Sequence, residues 1–197
     1  MAQSTRKPRV TASPSVQEEA ILEAAAAEVT AVGVRRANMD EVARVAGVSR
    51  STLYRRFPNK DNLLLAVANR TFENGMARIE RGVAGLGPSD AVIEAFATGA
   101  DMVENDPLLR RVVFEDVEIR SITATVSSLF IAMITDRVAT TLRRAGATMP
   151  DDDLRQAVEL HVRLVTSFLE VPVDEPERRT PEYARNLAAK FLAPMIY

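Results

Sequence analysis

The stretch "VSRSTLYRRFPNK", residues 48–60, carries four basic residues and no acidic one. The acid-free run is longer, from Val42 to Lys60, and lies between Glu41 and Asp61 with five basic residues inside it. The whole chain, in contrast, has a net charge of −2. Because a carboxylate would repel phosphate groups, a segment without carboxylates indicates a surface that meets a polyanion.

The distribution of charge along the chain agrees with this interpretation. Residues 1–60 hold ten basic and six acidic residues, a net charge of +4, whereas residues 61–197 hold fifteen and twenty-one, a net charge of −6. A basic first part followed by an acidic remainder predicts that only the first part contacts the polyanion.

Composition limits the class of protein. The 197 residues, 47% hydrophobic and 26% charged, can bury a sizeable core. The chain has no cysteine, which excludes disulfides and thiolate metal sites. No apolar run reaches the roughly 18 residues of a membrane-spanning helix, and the N-terminus lacks an apolar signal core. We therefore expect a cytoplasmic protein.

Hydrophobic periodicity predicts an all-α fold of about nine helices without strands. Ser89 or Asp90 is expected to cap the fifth helix, and three acids in "MPDDDL" suit the positive end of the eighth. The expected helices cover residues 15–33, 38–47, 49–57, 60–83, 89–105, 107–116, 122–146, 150–169 and 181–195.

Residues 38–57 have the layout of a helix-turn-helix. Gly47 lies where the turn between two short helices requires a positive φ. Leu53 and Phe57, spaced i and i+4, are predicted to face inward. A recognition helix directs its N-terminal half at base edges and flanks them with donors to phosphate. The outward positions are Arg50, Ser51, Thr52, Tyr54 and Arg55.

These residues carry a resemblance to a known family. "NMDEVARVAGVSRSTLYRRFPNKDNLL", residues 38–64, resembles the N-terminal DNA-binding domain of the TetR family of transcriptional regulators, and "AGVSRSTLY.RF..K..L" is its most specific signature. The preceding "ILEAA" and Gly33 fit the first helix of that domain, so the resemblance covers residues 16–65. Asn38 stands where Thr is commoner, and Val29 stands where a Phe usually packs.

The resemblance implies roles for individual residues and partners. Arg50, Ser51 and Thr52 would approach bases, Tyr54 and Lys60 would contact phosphates, and Arg55 could reach either. Asn38 joins this DNA-binding set. The resemblance also implies a homodimer formed by the last two long helices. Such a dimer would repress by occupying a near-palindromic operator and would release it when a small molecule binds the C-terminal domain. No cofactor, metal or catalytic residue is expected.

Small, polar and basic residues with two prolines predict a disordered basic arm over residues 1–14. A DNA-binding domain (15–60) and a regulatory and dimerisation domain (61–197) are expected to follow it. Arg6, Lys7 and Arg9 of the arm are candidates for a minor-groove contact, and an inert tail is the alternative.

Candidate ligand-pocket residues, each also compatible with plain core, are Phe72, Met76, Phe96, Met102, Phe114, Phe130 and Met133. Candidate dimer-interface residues are His161, Leu164, Phe168, Leu187 and Phe191.

Several alternatives stay open. The single histidine, His161, is interpreted as a packed or dimer-interface residue with one satisfied hydrogen bond, and a hydrogen-bond donor to a pocket ligand is the alternative. Arg44 and Arg56 can contact DNA, be solvated, or pair with an acid of a neighbouring helix. A DNA-binding regulator without a small-molecule ligand and a helical adaptor are alternative functions. An enzyme is disfavoured because no HExxH, GxSxG or glycine-rich phosphate loop occurs.

Overall fold

The computed structural model describes residues 13–111, 127–170 and 174–197. Those residues form nine α-helices and no strand. The helices are α1 (Pro14–Val32), α2 (Met39–Val45), α3 (Arg50–Arg56), α4 (Lys60–Gly82), α5 (Pro88–Asn105), α6 (Pro107–Arg110), α7 (Ser127–Arg144), α8 (Asp151–Glu170) and α9 (Pro181–Leu187). The all-α prediction is confirmed.

The chain divides into two compact units between Val67 and Ala68. This division lies within α4, seven residues after the boundary expected at residue 60. Among the described helices, none is long and apolar enough to cross a membrane. The arm residues Arg6, Lys7 and Arg9 lie outside the described part of the chain.

The first unit is built from α1, α2, α3 and the start of α4. Its core includes Ile21, Val29 and Leu53, each at most 1% exposed. Gly33 ends α1 with φ 82°, a backbone region that favours glycine. Glu28 of α1 accepts a hydrogen bond from the backbone N–H of Asn38 (3.2 Å), which fixes the beginning of α2.

The second unit surrounds a core to which α5, α7, α8 and the C-terminal segment contribute. Leu154 and Val158 of α8 are 2% and 0% exposed. The backbone carbonyl of Tyr197 accepts hydrogen bonds from the N–H groups of Thr148 and Met149 (2.7 and 3.0 Å). The end of the chain is thereby attached to the loop between α7 and α8.

Two predicted helix ends were wrong. Helix α5 begins at Pro88 after Gly87, with no side-chain cap, so neither Ser89 nor Asp90 caps it. Proline suits this first position because its fixed φ is helical and its missing N–H has no partner there. Helix α9 is also shorter than expected. A π-helical segment (Ala188–Leu192) and a 3₁₀ turn (Ala193–Met195) follow it.

One further difference concerns the segment before α9, and two predicted helix limits have no counterpart in the described residues. Residues Pro176–Arg179 form a 3₁₀ helix between the last two predicted helices, where no helix was predicted. The predicted ends at residues 116 and 122 lie outside the described residues.

Candidate nucleic-acid interface

Helices α2 and α3 are joined by a tight turn and share a buried face. Gly47 has φ 67° in that turn, as predicted. The Val48 N–H donates to the Ala43 carbonyl (3.0 Å). Leu53 and Phe57 are 0% and 7% exposed, which confirms that this face of α3 points inward. The opposite face of α3 is therefore the one presented outward.

Hydroxyl groups cluster at the beginning of α3. The Ser49 Oγ caps the helix by accepting from the Thr52 N–H (3.1 Å). The same oxygen lies 3.0 Å from the Ser51 Oγ and 2.9 Å from the Thr52 Oγ1. Two of the predicted base-reading side chains, Ser51 and Thr52, are thus held together by the cap. Tyr54, one turn further on, is 45% exposed.

The arginines of the acid-free run are mostly paired with carboxylates that lie before it in the sequence. Arg50 Nη2 is 2.5 Å from Asp40 Oδ2 of α2. Arg44 Nε donates to Glu41 Oε2 (2.8 Å), and this hydrogen bond lowers the pKa of the Glu41 carboxyl. Acids just outside the run therefore neutralise part of its positive charge, and Arg44 pairs within its own helix and not with a neighbouring one.

Two adjacent arginines of α3 differ in their surroundings. Arg56 Nη1 donates to Glu18 Oε2 of α1 (2.8 Å), and its side chain is only 19% exposed. Arg56 therefore connects α3 to α1. This agrees with the alternative in which Arg56 pairs with an acid of a neighbouring helix. Arg55 is exposed and makes no hydrogen bond or ion pair with the described residues. Its guanidinium is available to an external anion.

Asn38 and Lys60 both have internal hydrogen bonds. The Asn38 Oδ1 caps α2 by accepting from the Asp40 N–H (2.8 Å). The Lys60 ammonium donates to the Arg35 carbonyl in the turn after α1 (2.9 Å). Each group keeps further donors, because the Asn38 amide nitrogen and two ammonium protons of Lys60 are not used in these bonds.

The candidate pocket residues differ in burial, and two of them fall on side chains outside the described residues. Met76 and Met102 are buried, 6% and 9% exposed, and Phe72 and Phe96 are half-buried. Met133 is 54% exposed, so its assignment to an interior pocket is corrected: its side of α7 faces outward. Phe114 and the side chain of Phe130 lie outside the described residues. A groove of about 290 Å³ between α7 and α8 is lined by none of the candidates.

His161 is not at the surface where a dimer interface would place it. It is 6% exposed, and its ring packs edge-on against Phe96 of α5. Burial lowers the pKa of the His161 imidazole, and a hydrogen bond to the Leu192 backbone partly opposes this. Nε2 has no partner among the described residues. The interface assignment is corrected in favour of a packed histidine with one hydrogen bond.

The other interface candidates are more accessible. Leu164 is 38% and Phe191 60% exposed, and Leu187 is half-buried. The side chain of Phe168 lies outside the described residues. Leu160, one turn before Leu164, is 57% exposed and is not among the interface candidates predicted from the sequence.

Comparison with known proteins adds family information. Residues 21–67 match the model of bacterial regulatory proteins of the tetR family, and residues 88–190 match that of the bacterial tetracyclin repressor C-terminal domain. Uncharacterized HTH-type transcriptional regulators of Mycobacterium tuberculosis and Mycobacterium bovis are 30% identical over 140 residues, which are 70% of this chain and 72% of theirs.

Solved structures share the fold. The TetR family repressor AlkX from Dietzia has a TM-score of 0.66 at 20% identity, over 95% of this chain and 100% of its own. A TetR-family regulator from Streptomyces coelicolor has a TM-score of 0.66 at 23% identity, over 91% and 99%. RolR, solved in complex with resorcinol, has a TM-score of 0.61 at 15% identity, over 89% and 94%.

Proposed function

Because the chain belongs to the TetR family of bacterial regulatory proteins, and is therefore a DNA-binding transcriptional regulator rather than an enzyme, we propose that it is a ligand-released repressor. As a homodimer it occupies a near-palindromic operator. A small molecule bound in the C-terminal unit releases it.

The outward face of α3 is the observation that carries this proposal. Arg50, Ser51 and Thr52 lie within the first turn, where a recognition helix meets base edges. Tyr54 and Arg55 follow on the exposed side and supply a hydroxyl and a guanidinium for phosphates. The buried Leu53 fixes the rotation of the helix, so these groups share one face.

Exposed apolar side chains near the end of the chain support a homodimer. Leu160 and Leu164 are one turn apart on α8, and Phe191 is exposed in the segment after α9. Exposed apolar side chains of this kind gain free energy when a second copy covers them. A two-fold dimer would place two α3 helices on half-sites about 34 Å apart, one turn of DNA.

Release by a small molecule would act through the second unit. AlkX is described as a repressor and RolR was solved with resorcinol, so proteins of this fold include repressors and ligand binders. A ligand that binds one dimer conformation more tightly shifts the population away from the DNA-competent one. The proposed ligand contacts are Phe72, Met76, Phe96 and Met102, which are buried or half-buried in this unit.

Selection from a random double-stranded DNA pool at physiological salt tests the proposal. We expect enrichment of a two-fold symmetric motif, and sedimentation velocity should show two protomers on each selected duplex. A panel of small aromatic and aliphatic compounds should contain some that release the labelled duplex. Only weak, salt-sensitive binding without a motif would contradict DNA recognition and favour the adaptor alternative.

A further inference from the structure

The ion pair between Asp40 and Arg50 connects the two helices of the helix-turn-helix. Asp40 lies in the first turn of α2 and Arg50 is the first residue of α3, with Nη2 and Oδ2 2.5 Å apart. Both side chains are accessible, 42% and 71% exposed, so the pair lies on the outer surface and not in the core. A carboxylate on a surface that meets phosphates requires an explanation.

A pair this exposed contributes little to folding. In the folded protein it limits the orientations available to a long, otherwise mobile side chain. The planar guanidinium has five N–H donors, and the contact with Asp40 engages Nη2. The contact therefore restricts the directions in which the remaining donors can point relative to α3. Two such donors can read the O6 and N7 atoms of a guanine.

We propose that Asp40 is a positioning residue for base recognition, which orients the Arg50 guanidinium and thereby sets the base preference of the protein. The inference rests on the proposed reading of bases by α3. Asp40 touches Arg50 and not the DNA. The same carboxylate repels nearby phosphates, so it lowers affinity for all DNA while it sharpens discrimination.

The opposed effects of charge and orientation make the proposal testable with Asp40→Asn. The variant loses the charge that holds Arg50 but leaves the backbone N–H of residue 40 bonded to the Asn38 cap. We expect affinity for unselected DNA to rise about two- to fivefold per protomer, because one negative charge is removed. Discrimination at the base pair read by Arg50, roughly 5- to 150-fold for a bidentate contact, should fall to less than about a third of its wild-type value.

Glu41→Gln is the matched control. Glu41 lies next to Asp40 in the same turn of α2 and pairs with Arg44 of its own helix, not with α3. This variant removes the same charge at nearly the same place. It should raise affinity for unselected DNA in a similar way and leave every base preference unchanged. Thermal melts of both variants check that α2 remains folded.

A double-mutant cycle separates positioning from other effects. On an Arg50→Ala background, Asp40→Asn should produce no further change in base preference. The inference is overturned if Asp40→Asn alone keeps wild-type discrimination, if Glu41→Gln loses discrimination equally, or if the Asp40 effect persists without Arg50. If the wild-type protein prefers no sequence at all, the proposed function fails together with the inference. If the wild type has a sequence preference that Asp40→Asn leaves intact, only the inference about Asp40 fails.

Discussion

The imidazole ring of His161 on α8 stands perpendicular to the ring of Phe96 on α5, with the ring centroids 6.1 Å apart. This contact lies inside the second unit, where His161 is 6% exposed. A buried imidazole favours its neutral form, because burial penalises the charged one. Acid should therefore act on the stability of this unit through His161.

The pH dependence of stability follows from the direction of this shift. The pKa of His161 is lowered below its ordinary value of 6.5 in the folded protein, so the unfolded chain binds the proton more readily. Stability attributable to His161 is full above pH 6.5 and declines as pH falls towards the folded pKa. Thermal melts between pH 8 and 5 should show a smaller decline for His161→Asn. Since His161 is the single histidine, equal declines would contradict this assignment.

Arg137 links α7 to α4 through two glutamates. Its Nε and Nη2 contact both Glu80 oxygens (2.5 and 3.0 Å), and Nη1 contacts Glu73 (2.7 Å). Because these side chains are about one-third exposed or more, we expect Arg137→Ala to cost only about 1 kcal/mol of unfolding free energy. The thermal midpoint should fall by roughly 2–4 °C. Arg163→Ala, which breaks a pair with Glu159 within α8, should change it less.

Lowering the pH should remove the stability that the ion pairs of Arg137 provide. The hydrogen bond from Arg137 lowers the pKa of Glu80 below its ordinary value of 4.5. The contribution is therefore present above pH 4.5 and is lost as pH falls through the folded pKa. The difference in midpoint between the wild type and Arg137→Ala should narrow below that pH. A difference that stays constant to pH 3 would show that lost packing, not the ion pair, causes it.

Gly47 and Gly99 provide a test of backbone conformation. A Cβ atom at either position would meet nothing within 4 Å, so neither substitution to alanine causes a steric clash. Gly47 has φ 67° in the turn before α3, whereas Gly99 lies in α5 without a positive φ. We expect Gly47→Ala to destabilise by about 1–2 kcal/mol and Gly99→Ala to stabilise by up to about 1 kcal/mol. Chemical denaturation measures both, and equal effects would disprove the explanation.

Arg55 and Arg56 should differ in their effect on the salt dependence of DNA binding. Arg55 is exposed, whereas Arg56 pairs with Glu18. Arg55→Gln should reduce the slope of log affinity against log salt by about 0.9 per protomer, because one phosphate contact is lost. Arg56→Gln should mainly lower the thermal midpoint. If Arg55→Gln keeps the wild-type salt slope, as Arg56→Gln is expected to, Arg55 does not contact phosphate.

Tyr54→Phe tests a phosphate contact without a change of charge. Tyr54 is 45% exposed on the outward face of α3. Loss of its hydroxyl should weaken binding to all duplexes by a similar factor and leave the salt slope and the base preference intact. Titrations of one selected and one unrelated duplex at three salt concentrations measure this. A selective loss on the selected duplex alone would instead assign Tyr54 to base reading.

The local features of the DNA-binding unit could be predicted from the sequence. Gly47, Leu53 and Phe57 have conformations or burial that follow from turn chemistry and the helical period, and these depend on neighbours a few residues apart. The family resemblance was confirmed for the same reason, since its signature lies in one continuous stretch.

Contacts between helices could not be predicted in the same way. The Asp40–Arg50 pair joins residues on two helices, and periodicity does not describe how one helix crosses another. Met133 and His161 show the same limit. Apolar positions on α7 and α8 repeat on more than one face, so the period could not tell that Met133 faces outward and His161 inward.

The most direct test of the account is an affinity measurement on every single-base-pair variant of the selected half-site, with the wild type and Arg50→Ala. We predict that the wild type discriminates at one base pair by roughly 5- to 150-fold and that Arg50→Ala loses this preference while keeping the others. An Arg50→Ala protein that retains every wild-type preference would contradict the claim that the outward face of α3 reads the operator.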